Sequence, residues 1–302
     1  MSKLKMLLRN RNVIFVIGLL GGLLFPHASP LTRHLVLPAL ALAMALSTME
    51  IDSGVFRRPR SLLFPALIGI VMNYVILGNV IIGLAALMII DEMTWIGFVL
   101  LASVPPAVAV IPFSGFLKGN GLLSLMGTAG AYVGALLIMP LMALGLLSTT
   151  ELDPFKLVLI TLELIVLPLA VSRWLIQKGI REKIDPYRGT VTNWSFFLVI
   201  YTLIALNRSV ILGQTLHLAP IASISVLTMF LLGHLIDWIS SLFHLPKDTR
   251  TSLVLLGTLK NQGLAGGVAL TLFSQEAALP SAVSTIVMIL YVVWLDYKQR
   301  WD

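Results

Sequence analysis

Lys260, Asn261 and Gln262 follow one another inside an apolar stretch punctuated by Gly257, Gly263, Gly266 and Gly267. A lysine at mid-bilayer costs about 2.5–3.5 kcal/mol on insertion scales, and ionisable groups at that depth mark binding sites and ion pathways. Lys260 lies too far from Arg250 on one side and Glu276 on the other for its stem to reach either interface. Its ammonium is therefore offered to an anion, or to a buried carboxylate. Glu163 is the only acidic residue placed mid-span, so it is both the competing structural partner of Lys260 and a candidate proton carrier. A second interruption reads Ser103-Val104-Pro105-Pro106-Ala107-Val108-Ala109-Val110-Ile111-Pro112. Consecutive prolines remove two backbone donors, and Pro106 pushes Pro105 out of helical geometry. Isolated prolines such as Pro38, Pro140 and Pro168 read as kinks. Asn73, Ser124 and Thr128 are polar groups in apolar runs next to these breaks, able to coordinate an ion or to hydrogen-bond across helices.

Such groups need a scaffold built for lipid. Of the 302 residues, 58% are hydrophobic and 12% charged, and mean hydropathy is +0.95. A soluble domain carries roughly 25% charged residues and has too little interior to hide this much apolar surface. A soluble enzyme and a disordered chain are both excluded. The chain has no cysteine, which removes thiol, disulfide and iron–sulfur chemistry. His27, His34, His217, His234 and His244 show no metal-ligand spacing. Nor is there a Walker A, HExxH, GxSxG or paired-carboxylate motif. The chain does not read as an enzyme.

A spanning helix needs about 20 apolar residues. Ten segments are expected to span: 13–26, 35–51, 62–89, 94–117, 121–147, 154–177, 189–212, 218–243, 250–273 and 280–297. The first is short, and its basic start could pass for a signal peptide, but Pro26 and Pro30 flank a poor cleavage site. Lys3, Lys5, Arg9, Arg11, Arg57, Arg58, Arg60 and Lys118 fall on one side of the bilayer. Arg173, Lys178, Arg181, Lys183, Arg188, Lys247, Arg250, Lys298 and Arg300 join them. The other side holds Arg33, Lys156 and Arg208 beside Asp91, Glu92, Glu151, Asp153 and Glu276. That bias places both termini in the cytoplasm. The net charge of +7 is thus a topological signal, with the bilayer rather than nucleic acid as partner. Compactness and short loops point to a bacterial inner membrane.

The longest polar connection, Lys178 to Arg188, falls near the middle of the chain. Five spans before it and five after give halves of opposite orientation, the inverted-repeat plan of many transporters. One transmembrane domain, 1–302, would then divide into repeats 1–148 and 149–302. The Pro105–Pro106 and Lys260–Gln262 breaks fall in the fourth span of each half. Interrupted segments at matching positions are the best sequence pointer to a transporter's substrate site. Half-helix N-termini there present free N–H groups and positive dipole ends. With Lys260 added, the site favours an anion, best a carboxylate. The expected substrate-binding set is Pro105, Pro106, Ala109, Pro112, Lys260, Asn261 and Gln262, and the expected ion or coupling set is Lys260, Asn73, Ser124, Thr128 and Glu163.

The chain resembles the bile acid:sodium symporter family and, more distantly, auxin efflux carrier-like proteins. The resemblance rests on Gly18-Leu-Leu-Gly-Gly-Leu-Leu-Phe-Pro26, on Lys118-Gly119-Asn120, and on Asn261-Gln262-Gly263-Leu264-Ala265. It implies an all-α membrane protein of ten helices in panel and core domains, helices 4 and 9 being discontinuous and crossing. Substrate would lie beside the crossing, and movement would be rocking or elevator-like. Members carrying the sodium motif bind two sodium ions behind the crossing. Here the motif's fourth-span Ser-Asn falls on Val110 and Ile111, its ninth-span Glu on Leu256, and the following Gln on Lys260. Asn73, Ser124, Thr128 and Asn261 keep polar groups at matching positions. The expected function is a secondary transporter of a small organic anion, monomeric or homodimeric, needing no cofactor and working without sodium because Lys260 takes a cation's place. A sodium-coupled symporter with a degenerate site and a non-transporting membrane sensor are the alternatives.

Overall fold

The computed structural model describes residues 10–49, 59–147, 154–213 and 215–301. Lys3, Lys5, Arg9, Arg57, Arg58, Glu151 and Asp153, which enter the orientation argument, lie outside them. The described residues are helical almost throughout, as apolar solvent demands when every backbone donor and acceptor must be paired within its own segment.

The described residues open with α1 (Arg11–Leu24), short turns over residues 26–35, and α2 (Val36–Thr48). Helix α3 (Pro59–Ile70) runs through a π-helical stretch, Val71–Gly78, into α4 (Asn79–Met88). Then come α5 (Glu92–Ser103), α6 (Val110–Phe116) and α7 (Gly121–Leu146). The second half opens with α8 (Pro154–Gln177), α9 (Arg181–Leu206) and the short α10 (Arg208–Gly213). Helix α11 (Thr215–Val226) passes through a π-helical turn, Leu227–Leu231, into α12 (Leu232–Leu242). The last elements are α13 (Lys247–Leu256), α14 (Gln262–Leu272) and α15 (Leu279–Trp301).

Among the described residues, six helical runs are long and apolar enough to cross a membrane: 26–48, 63–88, 121–146, 181–206, 218–242 and 279–299. Helices α1, α5 and α14 are shorter apolar pieces. Leu87, Leu137, Leu141 and Leu290 stand exposed on outward faces, which is at home in lipid. The protein is a multi-pass membrane protein.

The helices sort into two packing groups. Helices α1, α2, α8 and α9 pack chiefly on one another, while α3 to α7 and α11 to α15 form the other group. Close approach inside each depends on glycine. Gly22 lies against the backbone of Tyr201 between α1 and α9. Between α3 and α7, a Cβ on Gly69 would run into the backbone of Gly127, and one on Gly130 into Ala66. Backbone cannot swing aside as a side chain can. Gly69→Ala is therefore expected to cost about 1–3 kcal/mol, read as a lower melting temperature in detergent, whereas Gly83→Ala, with open space around it, should leave the melt unchanged.

One boundary differs from the sequence expectation. The polar stretch Lys178 to Arg188 reads as a connection, yet α9 already begins at Arg181 and only residues 178–180 turn the chain, with Gly179 at φ +68°. Asp185 holds the early turns together, 3.7 Å from Arg181 and 3.1 Å from Arg188. Such i,i+4 and i,i+3 pairs support a helix that apolar periodicity cannot reveal.

Candidate functional site

Helix α5 stops at Ser103 and α6 resumes at Val110, and α13 stops at Leu256 with α14 resuming at Gln262. The two intervening segments meet. Ala107 N donates to Leu259 O at 3.0 Å and Asn261 N to Pro105 O at 3.0 Å, making an antiparallel bridge between Pro106 and Lys260. Each break thus satisfies backbone groups that the other leaves open, the condition for non-helical chain at membrane depth. Pro106, which has no N–H, occupies a bridge position that needs no donor from it. Pro112 sits in the first turn of α6, where an N–H would lack an intrahelical acceptor anyway.

Lys260 is 2% exposed. Its Nζ donates to Ala102 O at 2.6 Å and Val104 O at 3.0 Å and lies 4.7 Å from the centre of the Tyr74 ring. These carbonyls end α5, the negative pole of that half-helix, so the ammonium is both bonded and electrostatically matched. Asn73 Nδ2 donates to the same Val104 O at 3.2 Å. Tyr74 is fixed by its hydroxyl on Ala131 O at 2.8 Å. Both residues stand in the π-helical stretch, a distortion frequent at functional sites. On the other side of the bridge, Asn261 caps α14 by accepting from Leu264 N at 3.0 Å and donates to the Tyr132 hydroxyl at 3.1 Å.

The structure distributes the expected residues over several places. Pro105, Pro106, Lys260, Asn261 and Asn73 gather at the crossing. Ala109, Asn261 and Gln262 line a small cavity of about 40 Å³ beside it, with Phe15, Phe196 and Met288; Gln262 Nε2 is buried there without a partner. Ala109 and Pro112 line an adjoining cavity of about 220 Å³. Ser124 belongs to a separate hydroxyl cluster, donating to Ser252 Oγ at 2.8 Å, with Ser252 donating to Asn120 O at 3.0 Å. Thr128 Oγ1 is buried and unpartnered.

Two expectations need correcting. Glu163 is exposed on α8 and Lys260 spends its ammonium on carbonyls, so the two do not pair; helix α8 turns this carboxyl outward. Lys260 itself lines neither cavity, because its stem runs behind the bridge toward α5. Sequence reasoning missed Tyr74 and Tyr132, which hold the crossing but look like ordinary apolar-run aromatics.

The sodium sites implied by the family resemblance do not fit this set. Hard cations want several oxygen ligands. Val110 and Leu256 are fully buried carbon, and Leu256 packs against Gly127. An ammonium already occupies the carbonyls of Ala102 and Val104. Among the described residues no cluster of His, Asp or Glu is placed to hold a metal ion.

A larger cavity of about 360 Å³ lies elsewhere, lined by His234, Asp237, Arg250, Tyr291 and Lys298. Asp237 there accepts from Arg250 at 2.7 Å and Lys298 at 3.1 Å, a tie between α12, α13 and α15. A family model described as the SBF-like CPA transporter family matches residues 44–294. No curated protein matches the chain.

Proposed function

The chain belongs to the SBF-like CPA transporter family, and from that membership we propose a secondary transporter that moves a small organic anion by alternating access without sodium. The observation that carries this reading is the seating of the Lys260 ammonium on Ala102 O and Val104 O, where it supplies a fixed positive charge. A free cation on the same carbonyls would be repelled by it. The anion then binds beside the crossing, near Asn261, Gln262 and Ala109. Glu163, exposed on α8, has no part in this site.

The recurrence of a π-helical turn followed by an interrupted helix, once in each half, supports ten spans in two inverted repeats, 1–148 and 149–302. The packing groups support a panel of α1, α2, α8 and α9 beside a core holding the crossing. The basic bias supports cytoplasmic termini in an inner membrane. The carrier works as a monomer or homodimer.

Uptake of radiolabelled small carboxylates into proteoliposomes tests the reading. Flux is expected to be the same in sodium and in choline, and sodium is expected to leave the melting temperature unchanged against potassium. A ligand that binds only the native state at 100 times its Kd stabilises by about 2.7 kcal/mol, so sodium-dependent stabilisation of that size would overturn sodium independence. Absence of flux for every anion, with binding retained, would make the protein a sensor.

A further inference from the structure

The cavity of about 220 Å³ is lined by Arg11, Arg188, Thr192, Asn193, Pro112 and Phe196. It sits where α1 and α9 begin and α6 starts, against the crossing. Phe15, Val108, Ala109 and Phe196 line both it and the small cavity, so the two adjoin. The inner end is mostly apolar, walled by Val199, Ile200, Leu203 and Met288, with Asn261, Gln262 and Thr285 as its polar members. The outer end carries the charge.

Arg11 is the unusual group. Its guanidinium stacks on the Phe113 ring, 3.8 Å from the centroid, and its Nε is buried without a hydrogen-bond partner. Among the described residues no carboxylate pairs with it. Burial lowers Arg11 to about 10, far enough above neutral pH to leave it charged. Arg188 lines the same space while holding Asp185 at 3.1 Å. A charge largely withdrawn from solvent without a hydrogen-bonding counter-ion is costly, and a charge-assisted bond to an anionic oxygen would offset that cost.

We propose that Arg11, assisted by Arg188, Thr192 and Asn193, is the subsite for the carboxylate or sulfonate of a small amphipathic anion whose apolar body reaches along Phe15 and Phe196 toward Gln262. This rests on the transporter reading and deepens it: selectivity for negative charge belongs to Arg11, and Lys260 is the built-in cation behind the crossing. The space is below the roughly 300–1,000 Å³ of drug-sized pockets, so the substrate is small in this conformation.

The test uses full-length protein in detergent with cyclohexanecarboxylate and its neutral analogue cyclohexanecarboxamide. The acid is expected to raise the melting temperature and the amide to leave it unchanged. Arg11→Gln should weaken the acid roughly 10- to 100-fold, the loss of one charge-assisted partner, and Arg11→Lys should recover part of that, since a point charge lacks the guanidinium fork. Should Arg11→Gln fail to fold, modification of wild-type Arg11 by phenylglyoxal, followed by mass spectrometry, should be slowed by the acid and not by the amide. Equal binding of acid and amide, an unaffected Arg11→Gln, no response of the wild type to the acid, or modification indifferent to it would each overturn the subsite. If Arg11→Gln instead transports as the wild type does, the subsite fails while the transporter stands. If the acid binds through Arg11 yet no anion crosses the bilayer, transport fails and the subsite stands.

Discussion

Lys260→Ala is expected to bring anion flux to background and to lower stability by about 2–4 kcal/mol, because truncating a fully buried long side chain leaves a cavity and frees the carbonyl of Ala102 from its donor. Lys260→Met separates the two effects. Met fills much the same volume, and removing the ammonium also removes its desolvation cost, so a hydrophobic replacement of a buried charge is often near neutral. Its melting temperature should stay close to that of the wild type while flux is still lost, since the crossing no longer carries a positive charge. Lys260→Arg keeps the charge but forces a bulkier planar group into a packed site, and should transport poorly. Glu163→Gln, on the exposed face of α8, should leave both melt and flux unchanged. Thermal melts and proteoliposome uptake read all four. Wild-type flux in Lys260→Met would show that the lysine is scaffold alone. A loss of stability in Glu163→Gln equal to that of Lys260→Ala would restore the buried ion pair. Recovery of cation sensitivity should need Lys260→Gln together with oxygen ligands at 256 and 111, as in Leu256→Glu with Ile111→Asn.

Ala107→Pro is the second large effect. The Ala107 N–H donates to Leu259 O at 3.0 Å, and Leu259 is fully buried. Proline removes that donor and leaves a buried carbonyl unpaired, which costs about 1–3 kcal/mol. Of the two backbone hydrogen bonds of the bridge, only that from Asn261 N to Pro105 O would then remain. Flux should fall to background, because substrate site and Lys260 are positioned from opposite sides of this bridge. Ala107→Gly keeps the N–H and should cost no more than about 1 kcal/mol. Pro106→Ala adds a donor where none is required and relaxes the break, so it should reduce flux with little change in the melt. An Ala107→Pro variant that melts and transports like the wild type would show that the bridge does not tie the halves together.

What the sequence determined follows from residues whose chemistry is local. Pro105 and Pro106 cannot continue a hydrogen-bonded helix whatever surrounds them, and Lys260, Asn261 and Gln262 cannot sit in lipid unaccompanied. The interruptions, the lipid-facing runs and the family resemblance were therefore legible without coordinates. Arg181, Asp185 and Arg188 were harder: their helix is held by ion pairs rather than by apolar periodicity, and the stretch reads as a loop.

Tertiary structure decided what each exposed valence meets. Pro106 and Lys260 are far apart in the chain, and nothing in either segment specifies the other as its partner. The direction of the Lys260 stem, toward the carbonyls ending α5 rather than toward Glu163 or a substrate, depends on α5 stopping at that depth and on Tyr74 being brought beside it by the π-helical stretch. Arg11 and Arg188 looked like any other basic residues on one side of a bilayer, and only the fold, which brings the starts of α1 and α6 and the early turns of α9 around one space, puts both on one cavity. Hydropathy and backbone chemistry act over a few residues and leave a readable pattern. Which helix faces meet depends on shape and glycine contacts such as Gly69 on Gly127, and these carry no periodic signal along the chain.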